Sequence, residues 1–350
     1  MIITLRNTET REISAKIDEL HEERGEAAQG RVLTLLISTD EKELEHALSL
    51  ANGASREHPC RVIAIVPQAG KAGRSAEADA SGAKAAETSA ETQGSTTDAT
   101  GASSVPAGGI GTCGTYLDAE IRFGADAGAG EVIVLRPRGG LVHHPDTLVI
   151  PLLVPDAPVV AWWPTEAPAN PKTDLLGAMA RRRITDAKRS SNPWRTFNDL
   201  RRNWSSHNID MSWTRLTVWR AMVATMLDQP PHLPVISARV TGPKDFISLS
   251  MLAAWLRLKL GVSVTIEDDP GTDAVTGVYL TRADGTLSLE RPSVEEGVAT
   301  ISMPGQAPQT ISVPARTLEE CLSEELRRLD PDEVYAEVIT RGWALIHPAD

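Results

Sequence analysis

The chain has 350 residues, 41% of them hydrophobic and 23% charged, with a formal net charge of −12. That is an ordinary globular composition, large enough to bury a core without disulfide or metal staples. The acidity argues against nucleic acid or an anionic membrane as a partner for the whole surface, and no run of about 18 apolar residues spans a bilayer.

The opening MIITLRNTETREISAK lacks the long apolar stretch of a secretory signal, and three cysteines far apart in sequence fit a reducing cytoplasm, so a cytoplasmic protein is expected. A charged helix from Ile13 to Arg24 leads into a buried strand, Arg31 to Ser38. Asp40 can cap the next helix, with Glu43 three residues on to complete a capping box, and that helix runs to about Glu57. Arg61 to Val66 is the following strand. Strand, helix, strand in this order is the parallel-sheet pattern.

From residue 68 to 110 the composition changes to Ala, Gly, Ser, Thr and Glu. Such a segment buries too little apolar surface to offset its ordering entropy, so a disordered insert is expected. Strands resume at Thr115–Phe123, which alternates, and at Glu131–Leu135. His143 to Leu153 is expected as a helix. Pro158 to Trp163 is expected to close the sheet, with Pro164 stopping it.

Asp174 to Asp228 is expected to be helical, in three segments broken at Asn192-Pro193 and at His207 to Asp210. A second α/β unit follows: strand Val235–Val240, helix Phe246–Leu260, strand Val262–Glu267, then three short strands with a hairpin signal at Asp284-Gly285. The last element runs from Thr317 to Gly342, broken near Asp330-Pro331, with Pro331 in the first turn of its second piece. The fold class is therefore α/β, with two α/β units. An N-terminal domain of mainly parallel sheet (1–165) and a C-terminal domain of mixed sheet with helices (232–350) are joined by a helical segment (166–231).

Catalytic signatures are sparse. The glycines of Gly124–Gly130 precede a strand, whereas a phosphate-cradling loop follows one and opens a helix. They read as a turn. His143 and His144 are adjacent and point in different directions, and no matching pair stands elsewhere. Cys60, Cys113 and Cys321 lack a CxxC spacing and read as small buried hydrophobes. No catalytic residue, metal or cofactor is expected.

Charge is concentrated in one place. From Lys172 to Arg220 eleven Lys or Arg face four Asp, so the rest of the chain carries a net −19. On a helix Arg181, Arg182 and Arg183 would fan over about 200°, so at least one meets protein or a ligand. Arginine is the preferred fork for carboxylate and phosphate. Tryptophan supplies eight of the fourteen aromatic residues and marks particular places. In SWTRLTVWRAMVATMLDQPP (Ser212 to Pro231), Trp213, Leu216, Trp219, Val223, Met226 and Leu227 form an apolar stripe. Arg215 and Arg220 then need a carboxylate from this chain or from another protein.

The runs PLLVPDAPVVAWWP, RRITDA and SWTRLTVWRAMVATMLDQPP resemble the OpcA family, the glucose-6-phosphate dehydrogenase assembly or activator proteins of actinobacteria and cyanobacteria. GRVLTLLIS, ASREHPCRVI, GADAGAGEVIVLR and ECLSEELRRLDPDEVY are similar too. The resemblance covers nearly the whole chain outside the insert. It implies a non-catalytic partner that binds glucose-6-phosphate dehydrogenase, activates it allosterically and feeds NADPH production through the pentose phosphate pathway. It matches none of the three cysteines to a redox role. With this resemblance, the expected contact residues are Trp162, Trp163, Arg181, Arg182, Arg183, Asp186, Trp213, Arg215, Trp219 and Arg220. The alternative is a metabolic regulator whose arginine-rich segment holds an anionic sugar phosphate.

Overall fold

The computed structural model describes residues 1–24, 32–68, 115–123 and 130–347. Two sheets with covering helices make a mixed α/β architecture. The expected insert, most of the glycine cluster and Cys113 lie outside the described residues.

The first sheet has eight strands: β1 (Ile2–Leu5), β2 (Leu33–Ser38), β3 (Cys60–Ile65), β4 (Leu117–Phe123), β5 (Glu131–Pro137), β6 (Val159–Trp163), β7 (Arg182–Thr185) and β8 (Asn208–Asp210). Their order is β1-β4-β5-β3-β2-β6-β7-β8. From β5 to β8 every pairing is parallel, while β4 runs antiparallel to β5 and to β1. The central strands are almost continuously apolar because both sheet faces are covered. Helix α1 (Thr10–Arg24) sets Ile13, Ile17 and Leu20 against Leu36, Ile63 and Ile133. Helix α2 (Leu44–Ala54) sets Leu44, Ala47 and Leu48 against Leu35, Val62 and Val132 on the other face. Nearer the edge, β4 alternates strictly, with Leu117, Ala119, Ile121 and Phe123 buried and the residues between them half-exposed. Asp40 does accept the amides of Lys42 and Glu43, but the reciprocal half of the capping box is missing. The Glu43 carboxylate turns instead to His46 and Arg189.

His143–Leu153 is only partly α-helical. A 3₁₀ turn (Gly139–His143) precedes α3 (Pro145–Val149), and Ile150–Leu152 returns to 3₁₀. Strand β6 does not close the sheet, because β7 and β8 extend it. The expected run of helix from Asp174 to Asp228 is thereby corrected. It holds four α-helices, α4 (Leu175–Met179), α5 (Pro193–Arg202), α6 (Met211–Thr214) and α7 (Thr217–Leu227), with the two strands and a 3₁₀ turn (Ala187–Arg189) between them. Asp174 caps α4 and Asn192 caps α5, each accepting main-chain amides. The Trp-rich segment is two helices, the second starting after Leu216.

The second sheet runs β10-β9-β11-β12-β13-β14. Strands β9 (Ser237–Gly242) and β10 (Ser263–Asp268) are parallel and joined by α8 (Ile247–Leu260). Strands β11 (Gly277–Arg282), β12 (Gly285–Glu290), β13 (Val298–Ser302) and β14 (Gln309–Ser312) follow antiparallel, four where the turn signals suggested three. Gly285 sits at φ +138° in the Asp284-Gly285 turn, a conformation side chains disfavour. The chain ends in α9 (Leu318–Arg327), α10 (Glu333–Glu337), a π-helical turn and α11 (Trp343–Ile346). Asp332 caps α10, so Pro331 lies just before the cap and not in the first turn.

Candidate functional site at the seam of the two sheets

Arg182 and Arg183 lie on a strand that Arg181 directly precedes, so they alternate across the sheet instead of fanning around a helix. Arg181, just before β7, is exposed and pairs with Asp330 at 2.9 Å. Arg182 and Arg183 are buried on opposite faces. Arg182 Nη2 meets Glu325 Oε2 at 2.5 Å, and its Nη1 donates to the Asp330 carbonyl. Arg183 has no carboxylate partner in its hydrogen bonds. Its guanidinium donates to the Gly177 and Ala180 carbonyls, to Asn208 Oδ1 and to Ser205 Oγ. Burial holds its pKa below the usual arginine value, and the neighbouring Arg182 adds to the effect.

Trp162 and Trp163 follow the same alternation. Each is nearly inaccessible, and each belongs to a different core, one on either face of the sheet. Neither indole reaches the surface.

Immediately after β7, Asp186 accepts from both terminal Arg215 nitrogens at 2.8 and 2.6 Å, the bidentate fork that makes arginine–carboxylate pairs directional. Beside it Asp210 is fully buried. It accepts from Thr185 Oγ1 and from the amides of Ala187 and Ser212. Burial first, then the charge of Asp186, raises its pKa, while the two amides oppose the shift.

Of the stripe anticipated in the Trp-rich segment, Trp213, Leu216, Trp219, Val223 and Met226 lie in the core, and Leu227 is half-buried against it. Trp213 donates Nε1–H to Asp332 at 2.9 Å, and the Arg220 guanidinium stacks 3.8 Å from its ring. The structure therefore places Trp162, Trp163, Arg182, Arg183, Asp186, Trp213 and Trp219 inside the fold, with Arg215 and Arg220 half-buried beside them and Arg181 exposed.

Glu325 was not singled out in the sequence, although a signal existed. Leu318, Cys321, Leu322, Glu325 and Leu326 follow helical apolar spacing, and an acid at such a position requires a buried cation. Burial pushes its carboxyl above the ordinary 4.5, and Arg182 pulls it back.

Next to the seam lies a cavity of about 380 Å³. Lys188, Arg189, Arg215, Arg291 and Arg316 reach its wall, against Asp273 as the lining acid. Carboxylates already hold three of these cations: Glu43 holds Arg189, Asp186 holds Arg215 and Glu324 holds Arg316. Lys188 and Arg291 donate only to carbonyls. Trp219, Val275 and Val313 give the cavity an apolar side. The residues contributed from 246 to 318 carried no sequence signal, because the cavity forms only when the second sheet packs on the central segment. Among the described residues no group of three His, Cys, Asp or Glu could hold a metal ion.

Two family models match the chain. One, described as the glucose-6-phosphate dehydrogenase subunit N-terminal domain, covers residues 51–202. The other, described as the C-terminal domain of the same subunit, covers 206–339. No curated protein matches. Strand β8 falls in the second matched region yet completes the first sheet. The seam's contacts cross the boundary too, pairing Arg182 with Glu325, Asp186 with Arg215 and Thr185 with Asp210.

Proposed function

This chain belongs to the glucose-6-phosphate dehydrogenase subunit (OpcA) family, and from that premise we propose that it is a non-catalytic partner that binds glucose-6-phosphate dehydrogenase, promotes its assembly and activates it allosterically. In this reading it supports NADPH production through the oxidative pentose phosphate pathway. The observation that carries the proposal is that both halves of the family pattern occur in order in one chain, from residue 51 to 339.

The seam supports a role by contact. Buried charge pairs contribute little net stability over well-packed apolar residues, but they fix geometry. Here they join the two matched regions, so an outer surface built from both keeps one shape. The buried tryptophans and arginines act from beneath this surface, and the exposed Arg181 is the member of the arginine run that reaches the dehydrogenase.

An activator raises activity only by binding the competent conformer or oligomer more tightly than the alternatives. The effect then saturates with activator, and substrate tightens the complex by the same factor. Copurification of the dehydrogenase with this chain, with activity assayed across a titration, tests the proposal. A dehydrogenase that neither associates nor changes in activity overturns it.

A further inference from the structure

The 380 Å³ cavity beside the seam belongs to no part of the docking proposal and stands independently of it. Four of its features point to one kind of occupant. Helix α8 starts at its edge, with Phe246 as the N-cap residue and no side-chain cap on the first-turn amides. A helix start of that kind presents N–H groups and the positive end of the dipole. Ser248, in that first turn, is 1% exposed, and its Oγ has no hydrogen-bond partner. Arg291 is 2% exposed, and its Nε is likewise without a partner, although its two terminal nitrogens hold the Val313 and Val275 carbonyls. Lys188 lies over the Phe246 ring at 4.9 Å and donates to the Asp273 carbonyl at 3.3 Å.

Buried polar atoms are normally satisfied, and an unsatisfied one calls for a reason. Two of them sit here on the wall of one cavity, with an uncapped helix start and two cations that lack a bonded carboxylate. Such a set suits a doubly charged anion with several acceptor oxygens. A bare inorganic ion would leave the apolar lining of Trp219, Val275 and Val313, which adjoins Arg291, uncovered.

We propose that this cavity binds a small phosphate monoester, its phosphate held by Lys188, Ser248, Arg291 and the start of α8, and its organic body against Trp219 and Val313. Burial lowers the pKa of both Lys188 and Arg291, and an anion would offset that cost. The ligand would touch the central segment, α8 and the strap before α9 together, so it stabilises the folded chain by mass action.

Calorimetry on the full chain tests this, with glucose 6-phosphate, adenosine 5′-monophosphate and inorganic phosphate as probes, and with glucose and adenosine as uncharged controls. At least one of the two esters is expected to bind one to one, more tightly than inorganic phosphate, with its parent alcohol silent. Lys188→Gln and Ser248→Ala are each expected to weaken it roughly tenfold or more. The serine variant removes an unpartnered hydroxyl, so its melting temperature without ligand should not fall. Binding by neither ester, or equal affinity in wild type and both variants, overturns the proposal.

Discussion

Arg182 and Glu325 meet at 2.5 Å with side chains 2% and 6% exposed, and they come from the two differently matched regions of the chain. Removing one partner of such a pair leaves a buried charge uncompensated. Arg182→Met should therefore destabilise the protein by ~3–5 kcal/mol near neutral pH. Without Arg182, burial and the charge of Glu324 act on Glu325 against only the Thr214 hydrogen bond, and its folded pKa moves further above 4.5. A carboxyl with a raised folded pKa contributes its stability below the unfolded value, and the contribution is lost as pH rises through the folded value. The deficit of Arg182→Met should thus be smallest near pH 4.5 and grow as pH rises. Adding Glu325→Leu should recover most of it and flatten the pH dependence. Urea titrations of the wild type and the two variants across pH measure this, and a deficit independent of pH would contradict it.

Three consecutive arginines should behave as three different residues. Arg181→Glu breaks only an exposed pair with Asp330, so stability should change by about 1 kcal/mol or less, while association with the dehydrogenase slows. Arg183→Leu should be severely destabilising, since it strips donors from the Gly177 and Ala180 carbonyls and from Asn208. Melting curves and stopped-flow association rates separate the two effects.

Gly177 supplies one of those carbonyls, and a Cβ at this position would stand 1.8 Å from the Pro171 oxygen. Backbone rather than a flexible side chain blocks it, so Gly177→Ala should cost ~2 kcal/mol or more. A melting temperature equal to wild type would show that α4 can shift without penalty.

Cys60 and Cys321 are both buried, and burial pushes their thiols up to about 12 and about 11. The thiolate is the reactive form. At pH 8 iodoacetamide should modify the Cys60 and Cys321 peptides only after denaturation, as read by mass spectrometry. Rapid labelling of either in the native protein would reopen a redox role for it.

The buried parts of the fold were the most legible. RVLTLLIS and RVIAIV read as strands because a covered parallel sheet asks for apolar residues on both faces. The Trp stripe was visible because helical spacing selects one face, and all its members but the half-buried Leu227 are core. The arginine run misled for a local reason. RRIT has the charge of a solvated helix, and its strand state depends on pairing with β6 and β8, which are distant in sequence. With the wrong period, Arg182 and Arg183 could not be assigned to two faces, and their partners Glu325 and Asn208 stayed hidden. The cavity was less legible still. Lys188 and Arg189 belonged to the visible basic island, but Ser248, Arg291 and Arg316 join them only through tertiary packing.

Sedimentation velocity of the dehydrogenase alone, then with increasing amounts of this chain, with turnover measured on the same samples, tests most directly whether the protein works as a partner. The expected result is a faster-sedimenting complex of fixed stoichiometry whose appearance tracks a saturable rise in activity, with no turnover by this chain alone. Two independent boundaries with unchanged activity at every ratio would contradict it.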